Sequence, residues 1–80
     1  MKYTSYFLYT RQRSDRMTIK LEWIQHVFDN PLKEITQDDG RIRRWAKISE
    51  AGNKYLRVVI LEDKETIHNA FFDRSFKEED

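Results

Sequence analysis

Arginine, lysine and aromatic residues alternate through the middle of this 80-residue chain, and chemistry is to be sought there first. Between Arg41 and Ile60 stand six basic residues (Arg41, Arg43, Arg44, Lys47, Lys54 and Arg57) against one acid, Glu50. Guanidinium and ammonium groups attract phosphate oxygens, and Trp and Tyr rings offer planes on which unpaired bases stack. In an extended strand, side chains two apart share a face. Arg43, Trp45 and Lys47 then form one row and Tyr55 and Arg57 a second, and neighbouring strands set the rows side by side. Arg43, Trp45, Lys47 and Arg57 are therefore the candidate nucleic-acid-binding residues. The plainer account of the same pattern is cross-strand packing, with arginine stems covering the rings.

Tyr55, Arg57 and His68 are the candidate catalytic residues. His68 serves as a general base only if it faces the Arg43 and Tyr55 group; otherwise it is a strand residue. His26, four positions after Glu22, reads as a helix-surface residue. Neither histidine has a cysteine, a second histidine or a close carboxylate at ligand spacing, so no structural zinc, and no cofactor, is expected. Phosphate loop, nucleophile elbow and glycine-rich fingerprint are missing from the sequence. Asp73-Arg74 reads as a local salt bridge that pins the tail rather than as a reactive pair.

Charge is unevenly spread around a net +1. Residues 1–40 balance at six basic and six acidic, whereas 61–80 hold three basic and seven acidic. A basic centre and an acidic end fit an anionic partner, a tail folded over the centre as its own counterion, or charges that merely solvate an exposed sheet face. Glu78, Glu79 and Asp80 read as a solvated end. There is no cysteine, which excludes thiol chemistry and any need for an oxidising compartment. No signal-like segment and no apolar run of about 20 residues is present, so a cytoplasmic protein with no membrane span is expected. With 39% apolar and 14% aromatic residues, a single domain over 1–80, with an acidic tail at about 75–80, has a modest core to bury.

The elements that must position the basic and aromatic rows follow from periodicity. Leu21, Ile24 and Phe28, with Val27 beside them, make one apolar stripe on a helix over 21–30, which Asn30-Pro31 stops. Thr10–Met17 reads as a shorter helix carrying Arg11, Arg13 and Arg16. Tyr3–Tyr9 fits either an opening strand or a helical start, its aromatic and β-favouring residues favouring a short strand. Strands are expected over 41–49, 54–62 and 66–72, with a possible fourth over 33–37. Asp38-Asp39-Gly40 and Ala51-Gly52-Asn53 mark turns, and Asp63-Lys64 a two-residue hairpin turn. The covered face should hold Ile42, Ile48, Leu56, Val58 and Ile60 against Leu21, Ile24 and Phe28. The fold class is α+β: one or two N-terminal helices on one face of a three- to four-stranded antiparallel meander.

Several stretches carry a likeness: Lys20-Leu21-Glu22-Trp23-Ile24, Asn30-Pro31, Asp39-Gly40-Arg41-Ile42-Arg43-Arg44-Trp45, Tyr55-Leu56-Arg57-Val58-Val59 and His68-Asn69-Ala70-Phe71-Phe72-Asp73-Arg74. Through them the chain, from about Thr10 to Phe76, resembles a domain-of-unknown-function family of small bacterial, largely cyanobacterial, proteins. That family is distantly similar to the RelE and BrnT ribonuclease toxins in helix order and sheet meander. The resemblance implies two N-terminal helices on an antiparallel sheet, with RNA or ribosome binding on the open sheet face. No toxin motif transfers residue by residue. Two functions remain in view: RNA binding through the open face, or a non-catalytic module that holds a protein partner or a second copy of itself.

Overall fold

The computed structural model describes residues 1–78. The elements run β1 (Lys2–Tyr3), α1 (Ser5–Thr10), α2 (Leu21–Asp29), β2 (Lys33–Thr36), β3 (Ile42–Ile48), β4 (Lys54–Ile60) and β5 (Thr66–Phe72). One five-stranded sheet, in the order β1-β5-β4-β3-β2, carries both helices on one face. The expected α+β class holds, but the sheet is mixed rather than purely antiparallel. β2 to β5 form the antiparallel meander, and β1 adds to β5 in parallel.

The core lies between the helices and the inner face of the central strands. Phe7, Ile24 and Val27 pack on Ile42, Ala46, Ile48, Leu56, Val58, Ile60, Ile67 and Ala70. All the strand residues expected on the covered face are there. Of the helix stripe, Ile24 and Val27 are sealed and Phe28 packs at the margin, while Leu21, the first helical residue, is exposed. Trp23 takes the place expected for Leu21, meeting the edge of Phe72 at 6.2 Å. Arg44 shares the inner row of β3. Its guanidinium donates to the Phe28 carbonyl at 2.7 Å, so a cation sits where the last carbonyls of α2 are unpaired.

The N-terminal third departs from expectation. Tyr3–Tyr9 is not one strand: the strand ends at Tyr3, and Thr4 caps a helix, its Oγ1 accepting from the Phe7 amide at 3.0 Å. Aromatic β preference is overridden because the capped turn points Phe7 and Thr10 into the core. Residues 11–19 form successive turns rather than a helix. With Ile19 as the one buried apolar side chain there, a helix would bury too little to repay its ordering. Arg16 instead spans to β5, donating to Asn69 Oδ1 at 2.7 Å beyond the point where β1 stops pairing.

The β4–β5 connection is longer than two residues. Leu61 N donates to Thr66 O, and residues 62–65 turn between them. Asp63 organises this turn by accepting from the Glu65 and Thr66 amides, both at 2.9 Å, and Lys64 takes the left-handed φ of 64° that a glycine would ordinarily supply. Beyond it β5 carries a bulge. Val59 pairs with Asn69 and Ile60 with Ile67, which leaves His68 as the extra residue. Gly40, at φ 91°, closes the β2–β3 turn by donating to the Gln37 carbonyl.

Candidate nucleic-acid interface

Alternation places Arg43, Trp45 and Lys47 of β3 and Tyr55 and Arg57 of β4 on the face away from the helices, as expected. Register sets Trp45 opposite Arg57 and Lys47 opposite Tyr55. β5, whose outward face was open in the sequence, contributes Asn69 and Phe71, with Phe71 opposite Arg57.

These side chains form one continuous ladder of cations and rings across the sheet. The Arg16 guanidinium lies 5.2 Å from the centre of the Phe71 ring, and Arg57 lies 5.0 Å from the same ring. Arg57 also covers Trp45 at 5.4 Å. Trp45 also stacks with Phe76, centroids 5.1 Å apart and planes 20° apart. Phe76 then meets Tyr55 at 4.9 Å, and Lys47 closes the series 5.7 Å from the Tyr55 ring. Each such contact contributes about 0.5–1 kcal/mol when solvent-exposed.

The indole is therefore not the open platform that the sequence suggested. Trp45 is only 4% exposed. It is not buried beneath the helices. Its cover comes from its own face, from Arg57 and from Phe76, a residue past the last strand. The reason is Asp73. Its amide donates to the Tyr55 carbonyl at 2.9 Å, and its carboxylate accepts from the Trp45 indole N–H at 3.0 Å. The same oxygen lies 3.6 Å from Arg57 Nε. Asp73 thus pairs with Arg57 across the sheet, not with its neighbour Arg74 as the sequence reading had it. Residues 74–78 are turned back over the sheet, and Glu78 arrives 3.8 Å from Lys47. Glu78 is no free solvated end; Glu79 and Asp80, the rest of the expected acidic tail, lie outside the described residues.

Electrostatics follow from this crowding. Burial lowers the pKa of Arg57, the neighbouring charge of Arg43 lowers it further, and Asp73 opposes both. The Arg57 Nε is buried without a hydrogen-bond partner. Arg43, half-buried beside it, has no ion-pair partner among the described residues. For Asp73, burial pushes the carboxyl up, but hydrogen bonds from the Ser75 hydroxyl, the indole and the Ser75 amide, with the Arg57 charge, outweigh it and hold the pKa below the usual value. Tyr55 is raised, chiefly because its hydroxyl donates to Glu78.

His68 stands apart from this group. Its Nδ1 is 3.2 Å from Thr4 Oγ1 and its ring stacks on Tyr6 at 4.8 Å. Because that oxygen already accepts from Phe7 N–H, the Thr4 hydroxyl proton is free to point at Nδ1, and His68 joins α1 to the sheet. Burial lowers its pKa, and the charge of Arg41 adds to the effect. Among the described residues no group of three or more His, Cys, Asp or Glu side chains could hold a metal ion. A groove of about 690 Å³ runs along the end of the ladder, lined by Arg16, Tyr55, Phe71, Asp73, Arg74 and Phe76 among others.

The structure thus brings together Arg43, Trp45, Lys47, Tyr55 and Arg57 and separates His68 from them. Sequence reasoning missed Arg16, Phe71, Asp73 and Phe76. Phe71 was reachable in principle, once β5 was registered on β4; Asp73 and Phe76 lie beyond the last strand, where no period exists to place them.

The fold and face define a small α+β domain with a cation–aromatic sheet surface. Compared with known proteins, the chain matches no family model, no curated protein and no solved structure. Among the described residues no helix is long and apolar enough to cross a membrane.

Proposed function

We propose that the sheet face opposite the helices binds single-stranded RNA, with Arg43 and Arg57 neutralising phosphate and the neighbouring rings taking bases. The observation that carries this reading is the Arg43–Arg57 pair. The two guanidinium groups rise from the same outward face of two directly paired strands, one register step apart, and only Arg57 has a carboxylate beside it among the described residues. Like charges held together on a half-buried surface favour an anion between them. The partner would be met in the cytoplasm, and a distant relation to the RelE and BrnT toxins belongs to the same proposal.

Cleavage is not part of it. The Tyr55 hydroxyl donates to Glu78, and His68 is engaged by Thr4 and Tyr6 away from the arginine pair. Neither supplies a general base beside the arginine pair. The test is fluorescence anisotropy of a labelled single-stranded RNA over a range of salt concentrations. Binding should weaken as salt rises, and Arg43→Ala should reduce the slope of log K on log salt by about 0.7. Absence of salt-dependent binding at roughly micromolar protein would end the RNA reading.

A second reading rests on a different observation. Tyr6, Leu8 and Tyr9 of α1 and the nearby turn residue Met17 are 48%, 52%, 72% and 65% exposed, an unusual apolar display for so short a segment. These side chains would serve a protein-interaction module, whether for a partner protein or a second copy. A concentration-independent monomer in light scattering, with no partner retained in a pull-down, would remove it.

A further inference from the structure

We propose that the segment following β5, from Arg74 to Glu78, is an internal competitor that lies where a nucleotide would lie on this face; the inference rests on the RNA-binding reading above. The chemistry of the segment matches that of the ligand it would displace. Phe76 presents an aromatic plane stacked on Trp45 at 5.1 Å and 20°, the geometry a base would adopt there. Two residues later, Glu78 presents an anion 3.8 Å from Lys47, the place for a backbone phosphate. A ring followed at short range by a negative charge is the pattern of a nucleotide.

The attachment suits reversible release. Asp73 is the anchor: its amide pairs with Tyr55, and its carboxylate holds the indole N–H and Arg57. Past Asp73 the backbone bonding is local. Phe76 N donates to the Asp73 carbonyl at 3.4 Å, and no backbone bond ties residues 74–78 to the sheet among the described residues. Contact is made by the side chains of Phe76 and Glu78, so the segment can lift without breaking a strand pair. Lifting it uncovers the Trp45 and Tyr55 rings and frees Lys47, which turns a self-paired surface into the open basic and aromatic one. RNA must then compete for the face, and its apparent affinity is reduced by the fraction of molecules that are open.

Anisotropy titrations of labelled single-stranded RNA on the unmodified chain, on Phe76→Ala and on Phe76→Ala/Glu78→Gln test this. Phe76→Ala should tighten binding about tenfold, the effect of losing two ring contacts from the closed form, and the double variant should tighten it further. Wild-type binding that depends on Arg43 but is unchanged or weakened by Phe76→Ala overturns the competitor while leaving the RNA reading intact. Failure of the wild type and both variants to bind overturns both. A measurement on the unmodified chain guards against a variant that does not fold. Nuclear Overhauser contacts between the Phe76 and Trp45 rings should vanish at RNA saturation, and their persistence with RNA bound overturns the proposal.

Discussion

Replacing Asp73 with alanine should cost about 2–4 kcal/mol of folding stability, because one carboxylate serves three groups at once. It accepts from the Trp45 indole N–H at 3.0 Å, pairs with Arg57 at 3.6 Å, and accepts from the Ser75 amide and hydroxyl. Trp45 is 4% exposed, so its N–H would be left buried without an acceptor, at about 1–3 kcal/mol. The Arg57 side chain is 20% exposed, so the loss of its counter-charge is partly screened and adds about 1 kcal/mol. The Ser75 bonds are at the surface and add little. Against a total of about 4–12 kcal/mol for a chain of this size, the loss is a large share, and Tm should fall by about 10–25 °C. Asp73→Asn retains an acceptor for the indole and removes only the charge, so it should cost about 1 kcal/mol. Urea denaturation followed by circular dichroism measures both. If alanine costs less than about 1 kcal/mol, or if alanine and asparagine cost the same, the indole bond is not what holds residues 73–78 over the sheet.

Two further outcomes follow from the same structure. Asp63 and Asp73 have folded-state pKa values below the ordinary 3.8, Asp63 chiefly through the Thr66 hydroxyl, and His68 lies below its ordinary 6.5 through burial and Arg41. In each case the unfolded chain takes up the proton first, so stability is full above 6.5, declines as His68 protonates and declines again below 3.8; in pH-dependent urea melts, His68→Gln should flatten the upper step alone, and a stability that rises on acidification contradicts the assignment. At Gly40 a side chain would meet a φ of 91° and a Cβ 2.8 Å from the Glu62 carboxylate, whereas Gly52 at φ 75° faces open space. Gly40→Ala should therefore cost about 1–2 kcal/mol and more than Gly52→Ala in thermal melts, and equal costs would show that Glu62 simply moves aside.

Much of the frame was legible because it depends on local period. The helix over Leu21–Asp29, the three strands β3, β4 and β5 and the inner and outer rows of β3 and β4 follow from spacing of apolar residues, with Asn30-Pro31 and the two glycines as punctuation. In contrast β2, with Ile35 its one apolar residue, was open from sequence. Periodicity failed where the pattern was short. Ser5–Thr10 has the composition of a strand, yet one threonine cap and two inward side chains were enough to make it a helix. The Arg-rich stretch after it had a charge pattern that suited a helix but too little apolar surface to hold one against the core.

What the amino-acid order settled alone was which side chains share a face: Arg43, Trp45, Lys47, Tyr55 and Arg57 point one way because a pleated strand alternates. What covers that face was a tertiary matter. Asp73, 28 positions after Trp45, reaches the indole only because three strands bring them together, and Phe76 follows that anchor onto the ring. His68 shows the same limit. A single-residue bulge in β5 removed it from regular alternation and gave it to Thr4 at the other end of the chain, a pairing that rests on long-range contact and on no local rule.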